Sequence, residues 1–196
     1  MELYFGVPSL VRIFYYHPSR EFTCYHRHDD DLDIIRRNVI YLYRHPVRAV
    51  YSQLCYKKEN PQDPERVDHW TERYALHLDK WLIQESFTLK KTLVTYEGMK
   101  KDLAGEFEKI CRHLNQPFDR KRFDSVSPLV TRSEVQKRTR HDPQVIATSS
   151  SYDHQRERFE KQYFSRIMNI IASQNHRLID YFSLEKASSP DREINL

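Results

Sequence analysis

The chain has 196 residues, of which 39% are hydrophobic, 13% aromatic and 31% charged, with a net charge of +4. This balance predicts one globular domain over 1–196, with 186–196 as a flexible tail, and argues against a disordered chain. A membrane-spanning chain is not expected, because no window approaches about 20 consecutive apolar residues. Three scattered cysteines and the lack of a signal-peptide pattern favour a cytoplasmic protein, and the mild basic excess suits an anionic ligand.

The first half of the chain alternates between predicted strands and predicted helices. ELYFGV predicts a short strand, and SLVRIFYY predicts a helix that starts near Ser9. NVIYLY predicts a strand buried on both faces, and the apolar spacing after it predicts a helix from Pro46 to about Lys58. Aromatic and aliphatic residues then recur at helical spacing from Val67 to about Gln84, which predicts a long amphipathic helix with Trp70, Tyr74 and Trp81 in packing roles.

The second half continues the alternation up to a long segment without a pattern. KTLVTY predicts a third strand, and apolar residues from Leu103 to Leu114 predict a helix that ends before Pro117. We expect a loop over 125–151 and a last helix over about 154–181. The inward residues of that helix should be Phe159, Tyr163, Ile167 and Ile170. The alternation predicts an α/β fold with three layers, a mainly parallel central sheet flanked by helices.

The segment that follows the strand NVIYLY carries groups suited to an anion. In open α/β sheets, ligands lie beyond the carboxyl ends of the strands, where helix N-termini point free N–H groups at anions. Arg44 follows the strand, and Arg48 and Ser52 share one face of the next helix. A guanidinium and a hydroxyl can together bind a phosphate. The same spacing also fits an arginine in solvent and a serine that fills a helix position, so the spacing alone leaves both interpretations open.

A family resemblance favours the phosphate interpretation. VIYLYRHPVRAVYSQ resembles the sulfotransferase segment that holds the 3′-phosphate of the donor 3′-phosphoadenosine 5′-phosphosulfate (PAPS), with Arg44, Pro46 and Ser52 in register. TLVTYEGMKKDLAGEFEKICRHLNQPF is similar to the family's next strand, Tyr-Glu pair and helix, and YDHQRERFEKQYFSRI to its C-terminal helix. The resemblance implies a P-loop NTPase-like sulfotransferase architecture in which Arg44 and Ser52 hold the 3′-phosphate, with Arg48 beside them. It implies PAPS as the donor and 3′-phosphoadenosine 5′-phosphate (PAP) as the product, with no metal.

The resemblance extends less fully to the loop that would hold the sulfate end of the donor. Where the family has a Pro-Lys-Ser-Gly-Thr-Thr type of loop, this chain has YFGVPSLVRIFYY, with Ser9 in the place of the phosphate-binding threonine. No lysine precedes Ser9, and Gly6 is the only glycine nearby. Either Ser9, Arg12 and a helix N-terminus form a shortened site, or donor binding is impaired, or the chain is a shortened version of a longer protein.

The remaining candidates are a base and a basic loop. The family's base is typically a histidine upstream of the arginine strand, which implies His28 in FTCYHRHDDDLD, with His26 as the competitor. The alternate spacing of these histidines gives little support for a metal site. The family commonly closes over the 3′-phosphate with a basic loop, for which Lys137, Arg138 and Arg140 are the candidates by position and charge. A solvated polar segment remains the alternative in both places.

Three functions follow from these observations. The first is a sulfotransferase acting on the hydroxyl or amine of a small-molecule or carbohydrate acceptor. The second is a non-catalytic descendant that keeps the fold and binds without transfer, which the missing lysine and glycine before Ser9 favour. The third is a basic nucleic-acid-binding domain, which is supported only by the positive charge, because the sequence contains no nucleic-acid recognition motif. We expect no membrane association and make no prediction of the oligomeric state.

Overall fold

The computed structural model describes residues 1–6, 32–138 and 150–183. The chain divides into two compact units, a smaller one of residues 1–29, 116–147 and 193–196 and a larger one of residues 30–115 and 148–192. The predicted helix near Ser9 and the predicted tail lie outside the described residues, and the single domain stays a prediction. No helix within the described ranges is both long enough and apolar enough to cross a membrane.

The described part of the chain is mostly helical, with a small sheet. Its elements in chain order are α1 (Glu2–Phe5), β1 (Asn38–Tyr43), α2 (Pro46–Lys57), α3 (Pro64–Leu78), a π-helical turn (Asp79–Ile83), β2 (Lys90–Thr95), α4 (Tyr96–Lys101), α5 (Leu103–His113), α6 (Arg120–Val126), a 3-10 turn (Ser127–Val130), α7 (Arg132–Arg138), α8 (Ser150–Gln174), a second 3-10 turn (His176–Ile179) and α9 (Asp180–Ser183).

The sheet of the larger unit is parallel, and helices pack on both of its faces. β1 is not buried on both faces as predicted, because Tyr41 and Tyr43 are buried on one face whereas Leu42 on the other is 55% exposed. β1 and β2 pair in register from Asn38 opposite Lys90 to Tyr43 opposite Thr95, so both strands end at the same edge. On one face, the Tyr41 ring lies 6.2 Å from the Trp81 ring in the π-helical turn. On the other face, the Thr92 hydroxyl hydrogen-bonds the His113 ring of α5. The α/β class and the parallel sheet predicted from the sequence are therefore confirmed.

The main core of the larger unit lies where α2, α3 and α8 pack against one another. Its fully buried side chains include Leu54 of α2, Leu78 of α3 and Phe159 of α8. The last helix buries its residues at a spacing of four, with Phe159, Tyr163 and Ile167 buried as predicted. The fourth buried residue is Ile171, while the predicted Ile170 is only half-buried, because 171 continues the straight ridge along the helix.

Two predictions in the smaller unit were wrong. ELYFGV is not a strand: Glu2–Phe5 form a single helical turn that Gly6 ends in the left-handed conformation, with φ of 73°. The expected loop over 125–151 contains a 3-10 turn and α7 in its first part. Thr131 precedes α7, and its hydroxyl accepts the N–H of Glu134. Elements this short are specified by caps and packing and carry no detectable hydrophobic period.

Candidate functional site

The backbone of Arg44 is held by one side chain at the carboxyl end of β1. The Arg44 N–H donates to the Tyr74 hydroxyl at 3.1 Å, and that hydroxyl donates to the Arg44 carbonyl at 2.9 Å. Burial raises the pKa of Tyr74, so the hydroxyl remains protonated and keeps donating at neutral pH. Tyr74, predicted as a packing residue on α3, thus fixes the position from which the Arg44 side chain leaves the strand.

The Arg44 guanidinium lies against the first two residues of α4. Its central carbon is 4.5 Å from the centre of the Tyr96 ring, and its Nε is 4.0 Å from Glu97 Oε1. That Nε is buried and has no hydrogen-bond partner among the described residues. Because β1 and β2 end in register, the Tyr-Glu pair that follows β2 comes directly beside the arginine that follows β1. A buried guanidinium nitrogen without a hydrogen bond can donate one to an anionic ligand.

A tight helix start positions the Tyr-Glu pair. The Thr95 hydroxyl accepts the N–H of Gly98 at 2.7 Å and so caps α4. A Cβ atom at Gly98 would lie 2.5 Å from that hydroxyl and 2.7 Å from a carboxylate oxygen of Glu106, so only glycine fits there. Glu97 Oε1 in turn accepts the backbone N–H of His45 at 3.3 Å. The carboxylate of Glu97 thereby links the ends of the two strands.

Ser52 and Arg44 share a neighbour that the sequence analysis missed. The Tyr152 hydroxyl, on the first turn of α8, hydrogen-bonds Ser52 of α2. Burial raises the pKa of Tyr152, and the positive charge of Arg44 and the hydrogen bond with Ser52 partly oppose that rise. The side chain of His45, the N-cap residue of α2, makes no cap hydrogen bond, so no side chain caps the positive end of that helix dipole.

Arg44, Ser52 and Tyr152 form a set of donors, which we call the Arg44 site.

Arg48 has a different environment from the one expected. Its Nε donates to Glu160 Oε1 of α8 at 3.3 Å, and Glu160 also lies 3.7 Å from the Nε of Arg156. The carboxylate therefore neutralises part of the positive charge on this face of α2 and α8. A role for Arg48 in binding the donor stays a prediction.

His45 is the second residue that the sequence analysis missed. Its ring stacks on Phe164 with centroids 5.8 Å apart and meets Phe182 edge-on at 5.7 Å. Burial, followed by the positive charges of Arg48 and Arg44, lowers the pKa of His45 to about 4, so the ring is neutral at pH 7. A histidine at an N-cap, where Ser, Thr, Asp or Asn is preferred, was the available signal that this side chain is turned inward.

The neutral His45 should make the protein less stable in mild acid. The unfolded chain binds a proton at His45 below about pH 6.5, and the folded chain does so only near pH 4. The folded state therefore loses about 2 kcal/mol from this group between pH 7 and pH 5. Between pH 7 and pH 5, the unfolding free energy of His45→Phe should therefore fall by about 2 kcal/mol less than that of the unchanged protein. Urea unfolding at both pH values measures this difference. An unchanged difference between pH 7 and pH 5 in the variant would contradict the assignment.

The other predicted site residues are only partly described. Lys137 of the smaller unit is exposed and pairs with Glu134 at 2.7 Å, one turn away on α7. Arg138 ends α7, but its side chain is not described. The described residues contain no group of three His, Cys, Asp or Glu side chains arranged as a metal site. Ser9, Arg12, His26, His28 and Arg140 lie outside the described residues, so their roles remain predictions.

Comparison with known proteins identifies a family. No curated protein matches the chain. The family model described as the sulfotransferase domain matches residues 25–169, which is more than half of the chain. The matched range includes Arg44, Ser52, the Tyr-Glu pair and Tyr152, and it starts after Ser9 and Arg12. On the extent of this match, the chain belongs to the sulfotransferase domain family.

Proposed function

We propose that the protein transfers a sulfuryl group from PAPS to the hydroxyl or amine of a small-molecule or carbohydrate acceptor, with the 3′-phosphate bound at the Arg44 site. The observation that carries the proposal is the buried Arg44 Nε, which has no hydrogen-bond partner in the described part of the chain and sits on a fixed strand end. Membership of the sulfotransferase domain family supports the reaction class. The spacing of Arg44 and Ser52 matches that of the segment that holds the 3′-phosphate in sulfotransferases, which supports a phosphate as the bound group.

The donors of the Arg44 site fit a phosphate in number and chemistry. The guanidinium supplies charge and a planar set of N–H groups. Of the Ser52 and Tyr152 hydroxyls, which bond each other, one keeps its hydrogen for the ligand. The Arg44 Nε lies 4.0 Å from a carboxylate oxygen of Glu97, and the guanidinium carbon lies 4.5 Å from the centre of the Tyr96 ring. Both contacts restrict the side chain before any ligand arrives, which lowers the entropy cost of binding. Ser9 and Arg12 would hold the 5′ end of the donor, and Lys137, Arg138 and Arg140 would add charge at the 3′-phosphate.

The proposed reaction needs a base as well as a donor site. PAPS supplies the sulfuryl group: a bond forms between sulfur and the acceptor oxygen or nitrogen, and the bond between sulfur and the 5′-phosphate oxygen breaks. The electrons of the broken bond stay on the phosphate of PAP, and the proton of the acceptor passes to His28, or to His26 as its competitor. Histidine is suited to this step because its ordinary pKa lies near neutrality.

A thermal-shift titration with PAP tests donor binding directly. A ligand that binds only the folded state stabilises it by about 2.7 kcal/mol at a concentration one hundred times its dissociation constant. We expect a saturable rise of several degrees in the midpoint of unfolding. A midpoint that does not change at any PAP concentration would contradict the proposal.

Removing the Tyr74 hydroxyl should weaken both the fold and the nucleotide site. Tyr74→Phe leaves the N–H and the carbonyl of Arg44 without their partner, because one hydroxyl serves both groups. We expect a loss of about 1 to 3 kcal/mol in unfolding free energy, measured by urea unfolding. Because the arginine then leaves a less fixed backbone, PAP affinity at a temperature where the variant is folded should fall by about fivefold.

Tyr163→Phe is the matched control for this positioning role. Tyr163 is buried in the same unit, and its hydroxyl donates to one carbonyl, that of Gln62, at 3.0 Å. The control should lose about 1 kcal/mol of stability and keep the PAP affinity of the unchanged protein. Equal PAP affinities in the two variants would show that Tyr74 acts on stability alone.

A non-catalytic binding protein is the second candidate, and one observation favours it. The segment before Ser9 lacks the lysine and the internal glycine of a phosphosulfate loop. Such a protein would bind PAP through the Arg44 site and transfer nothing. Measurement of transfer from PAPS, in parallel with PAP binding, separates the two candidates.

A further inference from the structure

A cavity of about 430 Å³ lies within the larger unit, beside the start of α2. Its walls come from the first turn of α2, the middle of α8 and α9, and they are mostly apolar, with Phe164, Ala172 and Phe182 among them. Small-molecule sites commonly have volumes of about 300 to 1,000 Å³ and apolar walls with few polar groups. The cavity therefore has the size and the lining of a ligand site.

One polar side chain in the cavity wall lacks a hydrogen bond. The His45 ring lines the cavity, is only 9% exposed, and makes no ring-nitrogen hydrogen bond to any described residue. Its described contacts are the flat face of Phe164 and the edge-on ring of Phe182. The imidazole can therefore exchange a hydrogen bond with the hydroxyl of a ligand in the cavity.

The charges at the cavity rim cancel each other. Arg48 and Glu160 both line the cavity and pair with each other at 3.3 Å. An ionic ligand would meet no net countercharge in this part of the cavity and would lose its hydration. The lining thus favours an uncharged ligand.

We propose that this cavity binds a small uncharged molecule with an aromatic body and a hydroxyl group, which hydrogen-bonds the imidazole of His45. The aromatic body packs against the rings of Phe164 and Phe182. The cavity differs from the Arg44 site, because the Arg44 side chain contacts Tyr96 and Glu97 whereas His45 contacts α8 and α9. The proposal does not depend on the proposed transfer activity.

A fluorescence titration of the full chain with 2-naphthol tests the site, and naphthalene, which lacks the hydroxyl, serves as the matched probe. We expect saturable binding of 2-naphthol at pH 7 and binding of naphthalene about five- to tenfold weaker, the usual effect of one neutral hydrogen bond. In His45→Phe the two probes should bind alike, because the partner of the hydroxyl is gone. No saturable binding, or equal affinities of the unchanged protein for the two probes, would overturn the proposal.

A variant that fills the cavity provides a second, independent measurement. Ala172→Phe places a ring in the cavity and should weaken 2-naphthol binding at least tenfold, whereas Gln174→Phe, on the exposed side of α8, should leave it unchanged. Circular dichroism shows whether each variant is folded. If Ala172→Phe does not fold, the comparison of 2-naphthol with naphthalene in His45→Phe tests the proposal. Undiminished binding by a folded Ala172→Phe variant would overturn the proposal. So would an affinity that falls as protein concentration rises, because a second copy of the chain would then fill the cavity.

Discussion

Replacing Arg44 with alanine should abolish the stabilisation by PAP under conditions where the unchanged protein is saturated. Charged hydrogen bonds contribute about 1.5 to 3 kcal/mol each, and a bidentate arginine makes two, so we expect the dissociation constant to rise at least a hundredfold. The fold should survive the change, because the bonds from Tyr74 go to the Arg44 backbone and remain in the variant. Thermal-shift titration gives the binding, and urea unfolding gives the stability of the variant without ligand.

Two further variants show whether charge or geometry causes the loss. Arg44→Lys keeps the charge but not the planar set of donors, so we expect an intermediate weakening of about tenfold. Arg158→Ala removes one positive charge from an exposed position of α8 and should leave PAP affinity nearly unchanged. A full thermal shift in Arg44→Ala would show that the phosphate binds elsewhere in the chain. An equal loss in Arg158→Ala would show that the effect comes from net charge alone.

Replacing His28 with alanine should remove transfer while leaving the nucleotide bound. A positioned base commonly accelerates proton transfer by about 10² to 10⁴ fold, and we expect the turnover rate to fall within that range. PAP affinity should stay within twofold, because the proposed donor contacts come from other residues. His154→Ala, which removes an exposed histidine from α8, is the matched control and should keep full activity. Transfer from PAPS to a panel of phenols, amines and sugars is the measurement.

The result distinguishes the proposed functions from each other. Undiminished transfer by His28→Ala, together with loss of transfer by His26→Ala, would assign the base to His26. A protein that binds PAP, loses that binding on Arg44→Ala and transfers to none of the acceptors would be the non-catalytic binding protein. Retained transfer in both histidine variants would exclude these histidines as the base.

The two strands and α2 at the Arg44 site were predicted best from the sequence, whereas α4, which carries the Tyr-Glu pair beside them, was not predicted. NVIYLY and KTLVTY form the two strands of the sheet, and Pro46 starts α2 as expected. These segments have strong local signals, a β-branched and aromatic run in the strands and a proline at a first-turn position. The short helices α1, α4, α6 and α7 were missed, because a helix of one or two turns depends on its cap and its neighbours.

The residues that complete the site could not be predicted from the sequence, because their roles also depend on contacts with distant elements. Tyr152 lies one hundred residues after Ser52 in the chain, and only the packing of α8 on α2 brings their hydroxyls together. Tyr74 follows a helical period that is typical of packing, and its two bonds to the Arg44 backbone depend on the register of α3 against the strand end. The inward turn of His45 depends on the rings of Phe164 and Phe182, which come from α8 and α9.

The sequence by itself determined the α/β class, the parallel strands, the order of Arg44, Pro46 and Ser52, and the family. The class and the parallel pairing follow from the alternation of strand and helix patterns, and the family was indicated by a resemblance. The placement of Arg48 and Ser52 on one face follows from the rise and twist of a single helix. Only the tertiary structure decided which groups surround those residues: Tyr74 bonded to the strand end, Glu97 and Tyr96 beside the guanidinium, and the His45 ring in the wall of a cavity. Contacts between distant segments follow from the packing of whole elements, and no local pattern records them.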